Sequence, residues 1–188
     1  MEVTGKADRN EVVGFSQGLK LNFMSHSCHV FIEDDCVLAG LEASFFSPNC
    51  TLRIGARSIL RGSIFFKSPD NSVNIGQNVR ARTGLFMNVT GGNIRIGNDC
   101  LLAAVKFRTS DSHAIKDLTT GELLNPPGNI DVDNHVWLAE DVLLLRNARV
   151  GAGSAVGARS VVNRELPPNS LAVGTPARVV REGITWEE

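Results

Sequence analysis

The sequence predicts an all-β protein folded as a parallel β-helix, in which short strands coil into a triangular prism. Two spacings predict it: an aliphatic residue recurs every six positions in the C-terminal half, and an Ile-Gly pair recurs every 21 positions in the N-terminal half. The composition agrees, because 18 glycines among abundant Val, Ile, Leu and Ala, with no tyrosine and two tryptophans, suit many short strands joined by tight turns.

The six-residue spacing indicates hexapeptide repeats, each made of one short strand and a turn, with three repeats to a coil. Small or turn-favouring residues tend to follow the aliphatic residue, and mostly small residues stand four positions after it. A period of six fits neither helical repeat, and the glycines would weaken a helix. The aliphatic row, predicted to point inwards, is Val132, Leu138, Leu144, Val150, Val156 and Val162.

The N-terminal half carries the same kind of repeat at a longer spacing. Ile54-Gly55, Ile75-Gly76 and Ile96-Gly97 recur at steps of 21, which is one 18-residue coil plus about three loop residues. The same offset of four places Cys36 and Cys100 at small interior positions. The four cysteines form no C-x-x-C pair, so we expect reduced thiols that pack as small apolar groups.

The predicted organisation is a single β-helix domain over residues 1–188. It comprises an N-terminal cap at 1–29, coils at 30–167 and a C-terminal cap at 168–188, since solenoids need covered ends. Leu102 and Val132 are 30 positions apart (132 minus 102) where one coil needs 18, so about 12 residues must leave the coil. This loop insertion, at about 106–131, is where a rigid scaffold commonly carries function.

The charge balance and the hydropathy of the sequence limit the kinds of partner that we expect. The 19 basic and 20 acidic residues give a net charge of -1, which predicts neither nucleic-acid nor membrane-surface binding. The N-terminus lacks a basic start followed by an apolar run, and no stretch approaches the roughly 20 apolar residues of a membrane span. We therefore expect a soluble cytoplasmic protein.

Beside the repeat itself, the chain contains four distinctive motifs: SDSH at 110–113, NHVWLAEDV at 134–142, VGAGSAVGARSVV at 150–162 and PPNSLAVGTPARVVR at 167–181. With them the chain resembles the left-handed β-helix acyltransferases of the hexapeptide-repeat superfamily, particularly the sugar and polysaccharide O-acetyltransferases. The resemblance implies a left-handed coil, acetyl-CoA as acyl donor, and a homotrimer with active sites between neighbouring chains.

The resemblance implies that His113 is the general base. It stands where the family has its catalytic histidine, and a neutral imidazole can accept a proton from an acceptor hydroxyl near working pH. Asp111 is a candidate to orient that imidazole or to position the acceptor, although a helper carboxylate elsewhere in the trimer is the alternative. Trp137 resembles a tryptophan that lines the place where thioester and acceptor meet; plain interface packing is the alternative.

The same resemblance implies the donor-binding residues. Ala139 and Glu140 match positions whose main chain passes the thioester carbonyl, where an N–H can stabilise negative charge. Ala158 matches a small residue whose backbone binds the pantetheine arm, although Arg159 replaces the commoner glycine after it. Basic residues placed to bind the CoA phosphates, or alternatively solvated charges, are Arg164, Arg178 and Arg181.

Rival hypotheses remain open at this point. An amino sugar or a small amine is the alternative acceptor, which would make the protein an N-acetyltransferase. A covalent route through Cys100 or a serine is a weaker alternative, because no residue stands in an evident nucleophile arrangement. Outside acyl transfer, the rival is a non-catalytic or metal-binding β-helix, but His26, His29 and His135 form no convincing ligand set and we expect no metal.

Overall fold

A computed structural model of the chain describes residues 1–5 and 8–188. This part of the chain contains 21 strands and no helix. The strands are β1 (Glu2–Gly5), β2 (Glu11–Val13), β3 (Lys20–Phe23), β4 (His29–Ile32), β5 (Leu41–Phe45), β6 (Thr51–Ile54), β7 (Ile59–Phe66), β8 (Ser72–Ile75), β9 (Arg80–Val89), β10 (Ile94–Ile96), β11 (Leu101–Leu102), β12 (Val105–Arg108), β13 (Ile130–Val132), β14 (Trp137–Leu138), β15 (Leu143–Leu145), β16 (Arg149–Val150), β17 (Ala155–Val156), β18 (Val161–Val162), β19 (Glu165–Leu166), β20 (Ser170–Gly174) and β21 (Ala177–Glu182).

The strands stack in parallel ladders that form three faces of a prism. The first face contains the starts of β7 and β9, then β11, β14, β17 and β20. The second contains β1, β3, β5, the ends of β7 and β9, β12, β15 and β18. The third contains β2, β4, β6, β8, β10, β13, β16 and β19. The chain crosses the faces in this order, so the first corner joins the first and second faces, the second corner the second and third, and the third corner the third and first.

The interior matches the predicted register. All six residues of the aliphatic row are buried, with none above 2% exposure, and the residues four positions after them are buried too. Each step of six moves to the next face, so one hexapeptide spans one side of the prism. The second face adds a stack that the repeat did not predict: Phe23, Phe45 and Phe66 lie ring on ring at 4.8 and 4.6 Å. This stack fills the wider N-terminal coils with apolar surface.

The corners depend on residues that tolerate a left-handed backbone. Asp99, Asp141 and Asn147 have φ values of 56°, 59° and 64° there, and Asn and Asp are the non-glycine residues that adopt this conformation most readily. Arg159 has φ of 58° at the first corner. Glycine adopts this left-handed conformation at no steric cost, whereas an arginine occupies it at some conformational cost.

The ends differ from the middle in their pairing. Strands β1 and β2 pair in parallel with β3 and β4, so they extend the same ladders. At the other end, β21 pairs antiparallel with β20. The insertion leaves the coil at the second corner, between the end of β12 at Arg108 and the start of β13 at Ile130. Among the described residues there is no helix long and apolar enough to cross a membrane.

Candidate active site

An apolar groove lies on the first face where it meets the first corner. It has a volume of about 510 Å³. Four of the residues predicted to bind the donor are among those that line it, and most of the lining side chains at the corner are alanine or glycine, which lets a ligand approach the backbone. The lining residues are Ala103, Trp137, Ala139, Glu140, Ala155, Val156, Gly157, Ala158 and Leu171.

Two main-chain amides beside this groove are available to a ligand. The N–H of Ala139 donates to the Val156 carbonyl at 3.0 Å, so the coil already uses it. The N–H groups of Glu140 and Ala158 have no acceptor among residues 1–5 and 8–188. Glu140 and Ala158 occupy equivalent positions of consecutive coils. The hydrogen bond from the Arg159 N–H to the Glu140 carbonyl, at 2.8 Å, shows that these positions are stacked. Stacked free amides at an apolar groove suit an acyl carbonyl and an amide-bearing arm.

The SDSH segment at 110–113 is fixed by one buried side chain. Asn125, which is 5% exposed, donates from Nδ2 to the His113 carbonyl at 2.9 Å and to Asp111 Oδ2 at 3.0 Å. Its Oδ1 accepts the Ile115 N–H at 2.6 Å. This amide joins the two arms of the insertion, together with main-chain bonds such as that from the Leu124 N–H to the Ile115 carbonyl, and it sets the path of the backbone on either side of His113.

Asp111 connects the insertion to the coil. Its Oδ2 accepts from Arg146 Nε at 3.1 Å, next to the second corner. The pKa of Asp111 lies below its ordinary value, chiefly because Asn125 donates to the carboxylate, with Arg146 adding a hydrogen bond and an opposite charge. Within the described chain the carboxylate makes no hydrogen bond to the His113 imidazole. The structure thus places Asp111 as an anchor of the loop.

The imidazole and the groove occupy different corners of one chain. His113 is exposed, and its ring has no hydrogen-bond partner in the described residues. It lies in the insertion at the second corner, while the groove lies along the first corner, so the whole second face separates the two attachment points. A chemistry that uses both needs either a long reach of the loop or a second copy of the chain.

Comparisons with known proteins show which proteins this chain is similar to. No family model matches the chain. A polysialic acid O-acetyltransferase of Escherichia coli O1:K1 / APEC is 30% identical over 136 residues, which cover 72% of this chain and 44% of that protein. A galactoside O-acetyltransferase of Escherichia coli (strain K12) is 29% identical over 131 residues, 69% of this chain and 63% of that protein. The chain thus spans less than two thirds of either curated relative.

A solved structure extends the match to the whole chain. The crystal structure of the polySia-specific acetyltransferase NeuO superposes with a TM-score of 0.92 at 28% identity, and the match covers 100% of this chain and 88% of that one. The chain belongs to the hexapeptide-repeat acyltransferase superfamily. Its prism is accordingly the left-handed parallel β-helix of that superfamily, as the resemblance implied.

The arginines predicted from the superfamily resemblance separate in space. Arg178 and Arg181 lie on β21, opposite Val173 and the groove residue Leu171 of β20. Both are exposed. Arg164 lies at the second corner, where its main-chain carbonyl accepts from the Arg149 N–H. Within one chain it therefore lies away from the groove that the other two flank.

The cysteines and the other histidines considered above make packing and pairing contacts in the structure. Cys100 is 1% exposed, and burial raises its pKa to about 11, so its thiol is neutral and enclosed. Cys36, in contrast with its predicted interior position, is only half-buried. His29 pairs with Glu11 and His135 stacks on Trp186. The described residues contain no group of three or more potential metal ligands.

Sequence reasoning missed three residues of this candidate site. Asn125 and Arg146 hold the insertion, and Trp186 contacts Trp137. The Pro126-Pro127 pair marks a turn beside Asn125, yet nothing in the spacing connects any of these residues to its partner. Arg146 lies 35 positions from Asp111, and Asn125 lies 12 positions from His113 inside the non-repetitive insertion. Trp186 follows the last repeat, so the repeat pattern reveals none of these contacts.

Proposed function

We propose that this chain is an acetyl-CoA-dependent O-acetyltransferase that moves an acetyl group to a hydroxyl of a saccharide by direct attack in a ternary complex. The observation that carries the proposal is the apolar groove beside two free main-chain amides, those of Glu140 and Ala158. A pantetheine arm is apolar with amide groups, and its thioester carbonyl gains negative charge during transfer. Both features match what the groove offers.

The proposed chemistry needs no covalent enzyme intermediate. The acceptor oxygen attacks the acetyl carbonyl carbon, His113 accepts the hydroxyl proton, the carbon–sulfur bond breaks, and the proton passes to the departing sulfur. The Glu140 or Ala158 N–H stabilises the oxyanion, and Trp137 packs against the reacting groups. The thiol of Cys100 is buried and neutral, so it is not available as the nucleophile of a covalent route.

The proposed acceptor class is a saccharide. It rests on the relatives, two of which are named as O-acetyltransferases of polysialic acid and of galactosides. Arg178 and Arg181 are proposed to bind the CoA phosphates, because they flank the groove on β21 and guanidinium groups suit phosphate oxygens.

The separation of His113 from the groove supports a homotrimer. If the second corner of one chain meets the first corner of the next, three steps close a ring that holds three equal sites, each with a loop from one subunit and a groove from its neighbour. The outer surfaces of the faces agree. The third face bears charged residues such as Arg95, Asp131 and Arg149, whereas the second bears an apolar stripe in which Phe46 and Phe86 are 45% and 40% exposed. An apolar stripe of this kind indicates a surface that is covered.

The proposed function is tested by following free CoA thiol while acetyl-CoA is supplied with sialic-acid oligomers, galactosides or amino sugars. We expect acceptor-dependent release in the wild type and in His29→Ala, a control on the third face. His113→Ala should lower turnover by about 10²–10⁴-fold with acetyl-CoA affinity nearly intact. Calorimetry that finds no binding of acetyl-CoA, whether or not the protein binds stoichiometric zinc, would contradict the proposal. Acetylation of amino sugars alone would show that the acceptor group is an amine and not a hydroxyl.

A further inference from the structure

The segment 184–188 folds back along the third corner of the prism. After β21, the Ile184 N–H donates to the Asn169 carbonyl at 2.9 Å, and Asn169 Nδ2 donates to the Ile184 carbonyl at 3.3 Å. Farther along, the carboxylate of Glu188 pairs with Arg80 on the first face. The segment is thus held at both ends and crosses several coils between them.

The middle of this segment is held more tightly still. The Trp186 indole stacks on the His135 imidazole with ring centroids 4.5 Å apart and planes within 10°. Its Nε1–H donates to the His135 carbonyl at 2.8 Å, and His135 Nε2 lies 3.2 Å from the Trp186 carbonyl. The stacking and the Nε1–H hydrogen bond fix the orientation of the indole, because it cannot rotate without losing both, and the contact to the Trp186 carbonyl holds the main chain beside His135.

The fixed indole lies beside Trp137. The two ring centroids are 6.3 Å apart with planes inclined by 44°, within the range of aromatic pairs that attract. Trp137 is 39% exposed and stands on the outer side of the first face, between the groove at the first corner and the segment at the third. Its cross-strand neighbours, Leu101 and Ala155, are smaller, so they do little to restrict its rotamer. Trp186 is the aromatic partner of Trp137 in the described chain.

From these contacts we propose that Trp186 is a positioning residue, which acts by holding the Trp137 indole turned towards the groove. The inference rests on the proposed function, since Trp137 is where the thioester and the acceptor would meet. A mobile Trp137 would still leave the arm and phosphate contacts of the donor in place. It would misplace the reacting groups, and displacements of about 1 Å can cost on the order of 10²-fold in rate.

The amino-acid composition allows the mobility of Trp137 to be measured directly by fluorescence. The chain has two tryptophans and no tyrosine, so each single substitution at position 186 leaves Trp137 as the lone indole. Trp186→Phe keeps a flat ring on His135, and Trp186→Ala removes it. We expect time-resolved anisotropy of Trp137 to show little nanosecond local motion in the phenylalanine variant and a large amplitude in the alanine variant. This comparison uses the protein without substrates and is independent of catalysis.

Kinetics complete the test, with Glu187→Ala as a control in the same segment. For Trp186→Ala we expect kcat to fall by about 10- to 100-fold while KM for acetyl-CoA stays within about threefold and the melting temperature changes little. Trp186→Phe and Glu187→Ala should stay within about threefold of the wild type. If Trp186→Ala does not fold, Trp186→Leu carries the same expectation, because it covers His135 without a flat ring.

Two outcomes separate the possible failures. Equal Trp137 mobility in the phenylalanine and alanine variants, with equal kcat, overturns the positioning role even if the enzyme is active. A wild type that neither binds acetyl-CoA nor transfers acetyl overturns the proposed function, while the mobility comparison still decides whether Trp186 holds Trp137.

Discussion

Replacing Asn125 by alanine should release the loop that carries His113. The side chain makes three hydrogen bonds: with the Ile115 N–H, the His113 carbonyl and the Asp111 carboxylate. Neutral bonds contribute about 0.5–1.5 kcal/mol each and one to a charged group about 1.5–3 kcal/mol, so the three sum to roughly 2.5–6 kcal/mol. Water can replace some of them, because the Asp111 side chain is 36% exposed. We therefore take the lower end, about 2.5 kcal/mol.

A loss of this size lowers the ratio of ordered to disordered loop by roughly 60-fold, since about 1.4 kcal/mol corresponds to a factor of ten. Hydrogen exchange over residues 111–115 should accelerate, and kcat should fall by up to a similar factor. The affinity for acetyl-CoA should change little, because the groove lies at another corner. Thr119→Ala, in the exposed part of the same loop, serves as the control and should behave as the wild type.

The same network predicts an acid limit. A carboxyl whose pKa is lowered by folding contributes stability above its ordinary value of 3.8 and loses it as pH falls through that value and then through the lowered one. Protection of the loop amides from hydrogen exchange should therefore weaken only in strong acid, and in Asn125→Ala the pKa of Asp111 should move up towards its ordinary value.

Unchanged exchange rates and unchanged kcat in Asn125→Ala would refute the anchoring role of Asn125.

Three further predictions concern the core, the donor site and the assembly. Val150→Asp should prevent folding or assembly, because an ionised carboxylate would be buried in the prism, whereas Arg149→Asp on the outer side should fold; circular dichroism distinguishes them. Arg178→Ala should weaken acetyl-CoA binding by about 1.5–3 kcal/mol with turnover at saturating donor nearly unchanged, and an unaltered calorimetric affinity removes Arg178 from the site. Phe86→Glu should dissociate the proposed trimer in analytical ultracentrifugation while Asn74→Glu on the third face should not, and a trimer that persists in Phe86→Glu would argue against the apolar stripe as the interface.

The sequence by itself determined the coil and its register. The six-residue spacing predicts that Val132, Val150 and their equivalents point inwards, because the narrow interior has room for one such aliphatic side chain from each hexapeptide. All six residues of the row are buried in the structure. It also indicated the groove residues, since Trp137, Glu140 and Ala158 follow from motifs that are contiguous in the chain. The interruption of the repeat located the insertion.

Only the tertiary structure decided what holds these residues. Asp111 lies two positions from His113, which suggested a partner for the imidazole, yet its carboxylate bonds to Asn125 and Arg146. Trp186 reaches His135 across 51 positions. Contacts between an irregular segment and a corner depend on where the chain returns in space, and no periodicity encodes that. The repeat therefore specified the scaffold, and the non-repetitive segments determined which of its residues are fixed in place.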